Sequence, residues 1–218
     1  MKDSLILRFL YRTAFGRMVL KLLIQPEVSK AAGCILSAPV SKWLVPYYIR
    51  KHKIDMSDID VPQGGFPSFN AFFTRKRKED HLEPAEGQLI SPCDGFLTPL
   101  RIRKGTVLDI KNAQYSLEDL LKDCELAAGF EDGWALVFRL TPANYHRYCY
   151  ASDGRILKRR KIQGQLHCVR PIALRTLPVF VHNSREYQVL RTDRFGTVIQ
   201  MEVGALLVGI IKIHSLPL

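Results

Sequence analysis

The sequence predicts an α+β fold: N-terminal amphipathic helices followed by a mainly antiparallel β domain with helical insertions. Three observations lead there. Residues 4–52 interleave Leu, Ile and aromatic side chains with Lys and Arg over helix-length stretches. After Arg75 the apolar runs become brief and are separated by Gly, Pro and Asp, a strand-and-turn pattern. Within that second part, Ser116-Leu117-Glu118-Asp119 sets a serine cap before an acidic first turn, the mark of an inserted helix.

Residues 4–25 read as one helix with Gly16 as its weak point, and residues 27–52 as one or two more, punctuated by Gly33, Pro39 and Pro46. The segment Asp55 to Pro67 is acidic and rich in turn residues, a linker that puts a boundary near residue 65. Residues 1–65 are then a helical, membrane-associating region, and 66–218 a β-rich domain. Ser68 to Arg75 reads as a short capped helix. Strands are expected at Gln88–Ser91, Gly95–Ile102, Val107–Ile110, Ala135–Leu140, His146–Ser152, Gly154–Gln163, Gln188–Thr192, Gly196–Val203 and Ala205–Ile213, with a helix at Ser116–Asp123 between them.

A length of 218 residues, 47% of them apolar, is enough for one substantial core. The most apolar stretch, Leu5 to Ile24, is broken by Arg8, Arg12, Arg17 and Lys21, so neither a membrane-spanning helix nor a secretory signal is expected. Five scattered cysteines without metal-ligand spacing fit a reducing, cytoplasmic setting. The net charge is +11, and residues 1–53 hold ten Lys and Arg against two acids. Basic groups among Leu, Ile, Trp43, Tyr47 and Tyr48 suit an anionic lipid surface, where each adds about 1 kcal/mol of attraction. A solvated basic face explains the same composition equally well. Nucleic acid is not expected as a partner, because no nucleic-acid-binding motif is recognisable.

Six motifs then follow in order: Phe69-Asn-Ala-Phe-Phe-Thr-Arg-Lys76, Leu89-Ile-Ser-Pro-Cys-Asp-Gly95, Tyr145-His-Arg147, Gly164-Gln-Leu-His-Cys-Val-Arg-Pro171, Asn183-Ser-Arg-Glu186 and Met201-Glu-Val-Gly-Ala-Leu-Leu-Val-Gly209. Each is weak alone; together and in this order they resemble the phosphatidylserine decarboxylases. The resemblance implies conversion of phosphatidylserine to phosphatidylethanolamine and CO2 through a Schiff base to a pyruvoyl group, which the family makes from an internal serine by cutting itself at Gly-Ser-Thr. No Gly-Ser-Thr tripeptide occurs in this chain. After Gly209 the sequence runs Ile210 to Leu218, so the β domain is expected to be incomplete at its C-terminus, as a truncated product, a piece of a longer protein or a subunit completed by a separate α chain. A catalytically inactive, basic lipid-surface-binding protein is the alternative reading.

The resemblance also assigns roles. Asp94 matches the family's charge-relay aspartate; alone it reads as a turn residue before Gly95. His146 matches the first histidine of a His-Arg-x-His pattern, the one placed to help protonate substrate. Cys149 stands where the second histidine, the aspartate's partner in self-cleavage, would be, and a thiol cannot relay a proton as imidazole does. His167 is the suggested stand-in; as a strand residue facing solvent or lipid it would have no such role. Cys93 and Cys149 read as small buried strand residues. Phosphatidylserine, an anionic membrane surface at its cytoplasmic face and a second copy of the chain are the partners this reading admits.

Overall fold

The computed structural model describes residues 5–78, 87–103, 107–110, 113–169 and 171–208. The chain starts with two helices, α1 (Leu5–Arg12) and α2 (Ala14–Leu23), where one was expected. The break falls at Thr13, whose extended backbone (φ −101°, ψ 152°) lets Oγ1 accept the Gly16 N–H at 3.0 Å and cap α2. Gly16 is needed for close approach, because a Cβ there would lie 2.0 Å from the Phe9 carbonyl oxygen.

Two further helices, α3 (Pro26–Ser37) and α4 (Leu44–His52), flank a 3₁₀ turn at Pro39–Trp43. The prolines fit because each lies in a first turn, where a backbone N–H has no helical partner to lose. The predicted linker contributes β1 (Ile59–Asp60), which pairs antiparallel with β2 (Lys76–Arg77) across α5 (Phe69–Phe73). Ser68 caps α5 as expected, its Oγ accepting the Ala71 N–H at 3.2 Å.

The β-rich part holds three antiparallel arrangements. β3 (Phe96–Arg101) pairs with β6 (Trp134–Arg139), and β4 (Val107–Ile110) with β5 (Ala113–Ser116). β7 (Gly154–Ile162), β8 (Arg185–Thr192) and β9 (Thr197–Val203) form a three-stranded sheet with β8 in the centre. Helices α6 (Leu117–Leu121) and α7 (Cys124–Ala128) are capped by Ser116 and Asp123, and two single-turn helices, α8 (Pro171–Leu174) and α9 (Val179–His182), precede β8.

Two predicted strands did not form. Residues 88–91 and 146–152 lie side by side, joined by Ile90 N–H to Ala151 O (2.9 Å) and Cys149 N–H to Pro92 O (2.8 Å), without a regular ladder. Pro92 has no N–H to give one, and Ser91 Oγ bonds the Cys93 carbonyl instead. Of the expected strand Ala205–Ile213, residues 205–208 form a tight turn closed by Ala205 and Val208, and the rest lies outside the described residues.

Helices α1 and α2 bury Leu10, Tyr11, Leu20 and Ile24 against Ile172, Ala173 and Val179, so the helical region and the β-rich region share a core. A second shared core joins Val45 and Ile54 to Phe72, with Ala143 packed on it. On one face of the three-stranded sheet, Tyr187 and Val189 pack against Leu121 and Ala127. Arg185, also buried, donates to the carbonyls of Asp119, Leu120, Val181 and Asn183, tying β8 to α6 and α9.

Candidate active site

Asp94 sits in the tight segment before β3, where Gly95 adopts φ 134° and a Cβ would come within 2.7 Å of the Arg139 carbonyl. Its carboxylate accepts two bonds from Arg77 Nη2, at 3.2 and 3.3 Å, and one from the Tyr145 N–H at 3.2 Å. Arg77 is held in turn by its place in β2, by Asp58 at 3.1 Å and by the Tyr145 ring 4.6 Å beneath its guanidinium. The aspartate is therefore fixed both to the β1–β2 pair and to the backbone beside His146.

The turn that delivers His146 is closed by Asn144, whose Oδ1 accepts from Thr141 N–H (2.6 Å) and Oγ1 (2.7 Å). Both contacts use the amide oxygen as acceptor. Behind the turn, buried Arg75 of the Phe-Phe-Thr-Arg motif donates to the carbonyls of Ala143 (3.2 Å) and Asn144 (3.3 Å). The His146 ring lies on Phe73, centroids 4.0 Å apart. Burial lowers its pKa to about 4, and Arg75 adds to this, while the Asn144 carbonyl and Asp94 oppose it. His146 is neutral at physiological pH, and its buried Nδ1 has no hydrogen-bond partner among the described residues.

Cys149 is half-buried rather than a strand residue, with its N–H on Pro92 O and its Sγ 3.6 Å from the same carbonyl. It lies beside Cys93, whose thiol burial and the neighbouring Asp94 push up to about 11. The Cys149 thiol is also raised by burial. Both groups stay protonated and are poor nucleophiles at neutral pH.

His167 is placed elsewhere. It is buried, with Tyr11 Oη 3.3 Å from Nδ1 and Gln165 Oε1 3.1 Å from Nε2. Asn183 clamps its backbone, accepting the N–H and donating to the carbonyl, both at 2.9 Å. Burial and nearby His182 lower its pKa to about 4. Among the described residues, no hydrogen bond or ion pair joins it to Asp94.

Opposite the Asp94–His146 segment stands the second face of the three-stranded sheet, and sequence reasoning passed over it. The register pairs Glu186 with Glu202 and Gln188 with Gln200, four polar side chains on one face. Gln200 Nε2 donates to the Cys149 carbonyl at 3.1 Å, and Tyr150 Oη to Gln188 Oε1 at 2.7 Å, so this face closes on residues 148–150. Arg159 of β7 pairs with Glu186. Among the described residues, Tyr148 Oη, Gln188 Nε2, Gln200 Oε1 and Glu202 Oε2 are buried without hydrogen-bond partners. The signal was available: Gln200 and Glu202 alternate with Ile199, Met201 and Val203, which puts both acid and amide on one face of a strand.

A fixed carboxylate, a half-buried neutral imidazole and, among the described residues, a wall of polar atoms without partners make this a candidate enzyme site. A sequence profile of phosphatidylserine decarboxylase matches residues 69–217. The phosphatidylserine decarboxylase proenzyme 2 of Clostridium acetobutylicum is 41% identical over 215 residues, covering 96% of this chain and 72% of that protein. The proenzyme of Ruminiclostridium cellulolyticum is 37% identical over 94% of this chain and 70% of its own length, and that of Fusobacterium nucleatum 34% identical over 93% and 69%. This chain belongs to the phosphatidylserine decarboxylase family.

Proposed function

We propose that this chain serves the decarboxylation of phosphatidylserine to phosphatidylethanolamine, with Asp94 and His146 in the reacting site. The supporting observation is the 3.2 Å hydrogen bond from the Tyr145 N–H to Asp94, which ties the aspartate to the backbone next to His146, whose ring feels the Asp94 charge. Asp94, immobilised by Arg77, orients the segment; His146, neutral and with Nδ1 free to bond, meets the substrate.

The family's pyruvoyl group fits the residues present. A keto carbonyl needs hydrogen-bond donors and a proton carrier nearby, and among the described residues Tyr148 Oη, Gln188 Nε2 and Glu202 Oε2 are buried without partners, as is Nδ1 of His146 in the adjoining turn. When bound, the group supplies an electrophilic carbon for the lipid amine and a sink for the electrons released with CO2. The chain's own residues exclude water, orient the lipid headgroup and move its proton. In this reading Cys149 is an uncharged filler at the second-histidine position. His167, with both ring nitrogens engaged, supports the 164–168 segment. In protein that cleaves itself, His167→Ala is therefore expected to lower stability and leave cleavage in place.

The substrate's membrane would be met by the N-terminal helices. Leu5, Ile6, Phe9, Phe15, Met18 and Leu22 are exposed on α1 and α2 between Arg8, Arg12, Arg17 and Lys21, and Trp43 and Tyr47 are exposed nearby. Among the described residues no helix is long and apolar enough to cross a membrane. Peripheral attachment at an anionic cytoplasmic face suits this surface and the unpaired cysteines.

The direct test is release of labelled CO2 from carboxyl-labelled phosphatidylserine in anionic vesicles, alongside labelling with a carbonyl-reactive hydrazide. In protein that also carries the cofactor-forming serine segment, release by the wild type and its loss in Asp94→Asn are expected. Vesicle binding without release or labelling would leave only a lipid-surface protein.

A further inference from the structure

The β3–β6 ribbon carries an apolar face that the cores do not use. Directly opposed residues of an antiparallel pair point to the same side, and the sides alternate along each strand. The pairs Leu97 with Phe138, Pro99 with Leu136 and Arg101 with Trp134 therefore share one face. The alternate residues Leu100 and Ala135 rest with Ile102 on the core around Tyr115 and Leu120, which turns the first set outward. Trp134 is 60% exposed, Leu97 51% and Leu136 47%, and none of the three joins a core of the described residues. A contiguous apolar patch of this kind marks a contact surface.

Charge indicates what the surface meets. No Asp or Glu occurs from Gly95 to Leu108 or from Gly133 to Ser152, stretches that hold Arg101, Arg103, Lys104, Arg139 and Arg147. Arg101 lies over the Trp134 ring at 5.3 Å and takes no part in the ion pairs of the described residues. A guanidinium stacked on an indole keeps its in-plane N–H groups for an outside acceptor. The basic strand β7 differs, because Lys158 is engaged by Asp123 at 2.7 Å, Arg159 by Glu186 and Arg160 by the Lys122 carbonyl at 2.6 Å. A second copy set face to face would bring arginine against arginine with no acid between them.

We propose that this face is a second membrane contact, separate from α1 and α2, which lies on an anionic bilayer with Trp134 at the boundary of headgroups and acyl chains and Arg101 on lipid phosphate. Indole and arginine side by side suit that boundary, the ring facing the chains and the cation facing the headgroups. The Phe96–Arg139 end of the ribbon is the end that meets the site, since Asp94 stands two residues before Phe96 and His146 seven after Arg139. A bilayer seated on the ribbon brings headgroups to the segments that carry both residues. The contact itself does not depend on the decarboxylase reading.

Trp43→Phe leaves Trp134 as the one tryptophan of the full chain and provides the test. Without lipid, acrylamide should quench its emission as it does for an exposed indole. Vesicles of phosphatidylserine brominated along the acyl chains should lower that emission at least about twofold, and brominated phosphatidylcholine vesicles much less. Adding Leu97→Glu with Leu136→Glu, both at exposed positions, should leave the thermal unfolding unchanged. The quenching should be lost while α1 and α2 still carry the protein down with sedimented vesicles. A Trp134 shielded from acrylamide before lipid is added overturns the proposal, because another part of the protein or a second copy then covers the face. So does a vesicle-bound chain whose Trp134 the bromines leave unquenched, or equal quenching by the two kinds of vesicle. These outcomes are read on the Trp43→Phe chain and stand even if the further variant fails to fold. Quenching in a chain that releases no CO2 upholds the contact and sinks the decarboxylase reading alone; release without quenching does the reverse.

Discussion

Arg77 shows what one side chain contributes at this site. It joins Asp58, Asp94 and the Tyr145 ring, and the ion pair with Asp94 is about one-third exposed on each side. Exposed pairs of this kind contribute less than about 1 kcal/mol to stability, so the value of Arg77 is positional. Arg77→Met should leave the melting temperature within a few degrees of wild type while lowering turnover at least about tenfold through a loosened Asp94. Glu202 behaves oppositely in stability. Its folded pKa of about 7 exceeds the ordinary 4.5, so the unfolded chain loses the proton first as pH rises. Stability from this group is present below pH 4.5 and drains away up to about 7. Denaturation at pH 5 and pH 8 should therefore show Glu202→Gln gaining on wild type at the higher pH; an equal difference at both would contradict the shift.

Helices were more legible than strands in this sequence, and the reasons are local. Ser68 and Ser116 announced α5 and α6 because a hydroxyl bonding the third following N–H is a contact within four residues. The strand predicted at 146–152 failed because its neighbour, 88–93, holds Pro92 and a serine turned onto its own backbone, features whose effect depends on which segments meet. Asp94 and His146 were legible as motifs, but their junction through the Tyr145 N–H was not, since it links residues 51 apart. The polar face of β8 and β9 was hidden for a similar reason: only the register reveals that Gln188 and Glu186 oppose Gln200 and Glu202. Phe72, fully buried in the core beneath α4 and α5, holds the Arg75 motif against the turn that carries His146. Phe72→Ala should cost about 3–5 kcal/mol in denaturant unfolding and lower turnover as that turn loosens.

Across the whole molecule, two neutral histidines, His167 buried and His146 half-buried, set the acid limit of stability. His146 and His167 have pKa values near 4 when folded and 6.5 ordinarily, so the unfolded chain binds protons that the folded chain refuses. Their stabilisation is complete above pH 6.5 and is lost as pH falls toward 4, and unfolding there should take up between one and two protons from these two groups. Flat stability from pH 7 to 4 would show that the rings are hydrated. The helical region and the β-rich region share cores, yet the exposed apolar side chains of α1 and α2 face away from them. Phe15→Asp with Met18→Asp should weaken binding to anionic vesicles at least about tenfold without unfolding the protein. Joining Asp94 to His146 in one reacting site is the claim on which the functional reading stands, and a double-mutant cycle on CO2 release from phosphatidylserine tests it most directly. If the two act as a unit, Asp94→Asn and His146→Ala together should lose no more rate than the worse single variant. Losses that multiply, or single variants as fast as wild type, would show that the two residues do not share a site.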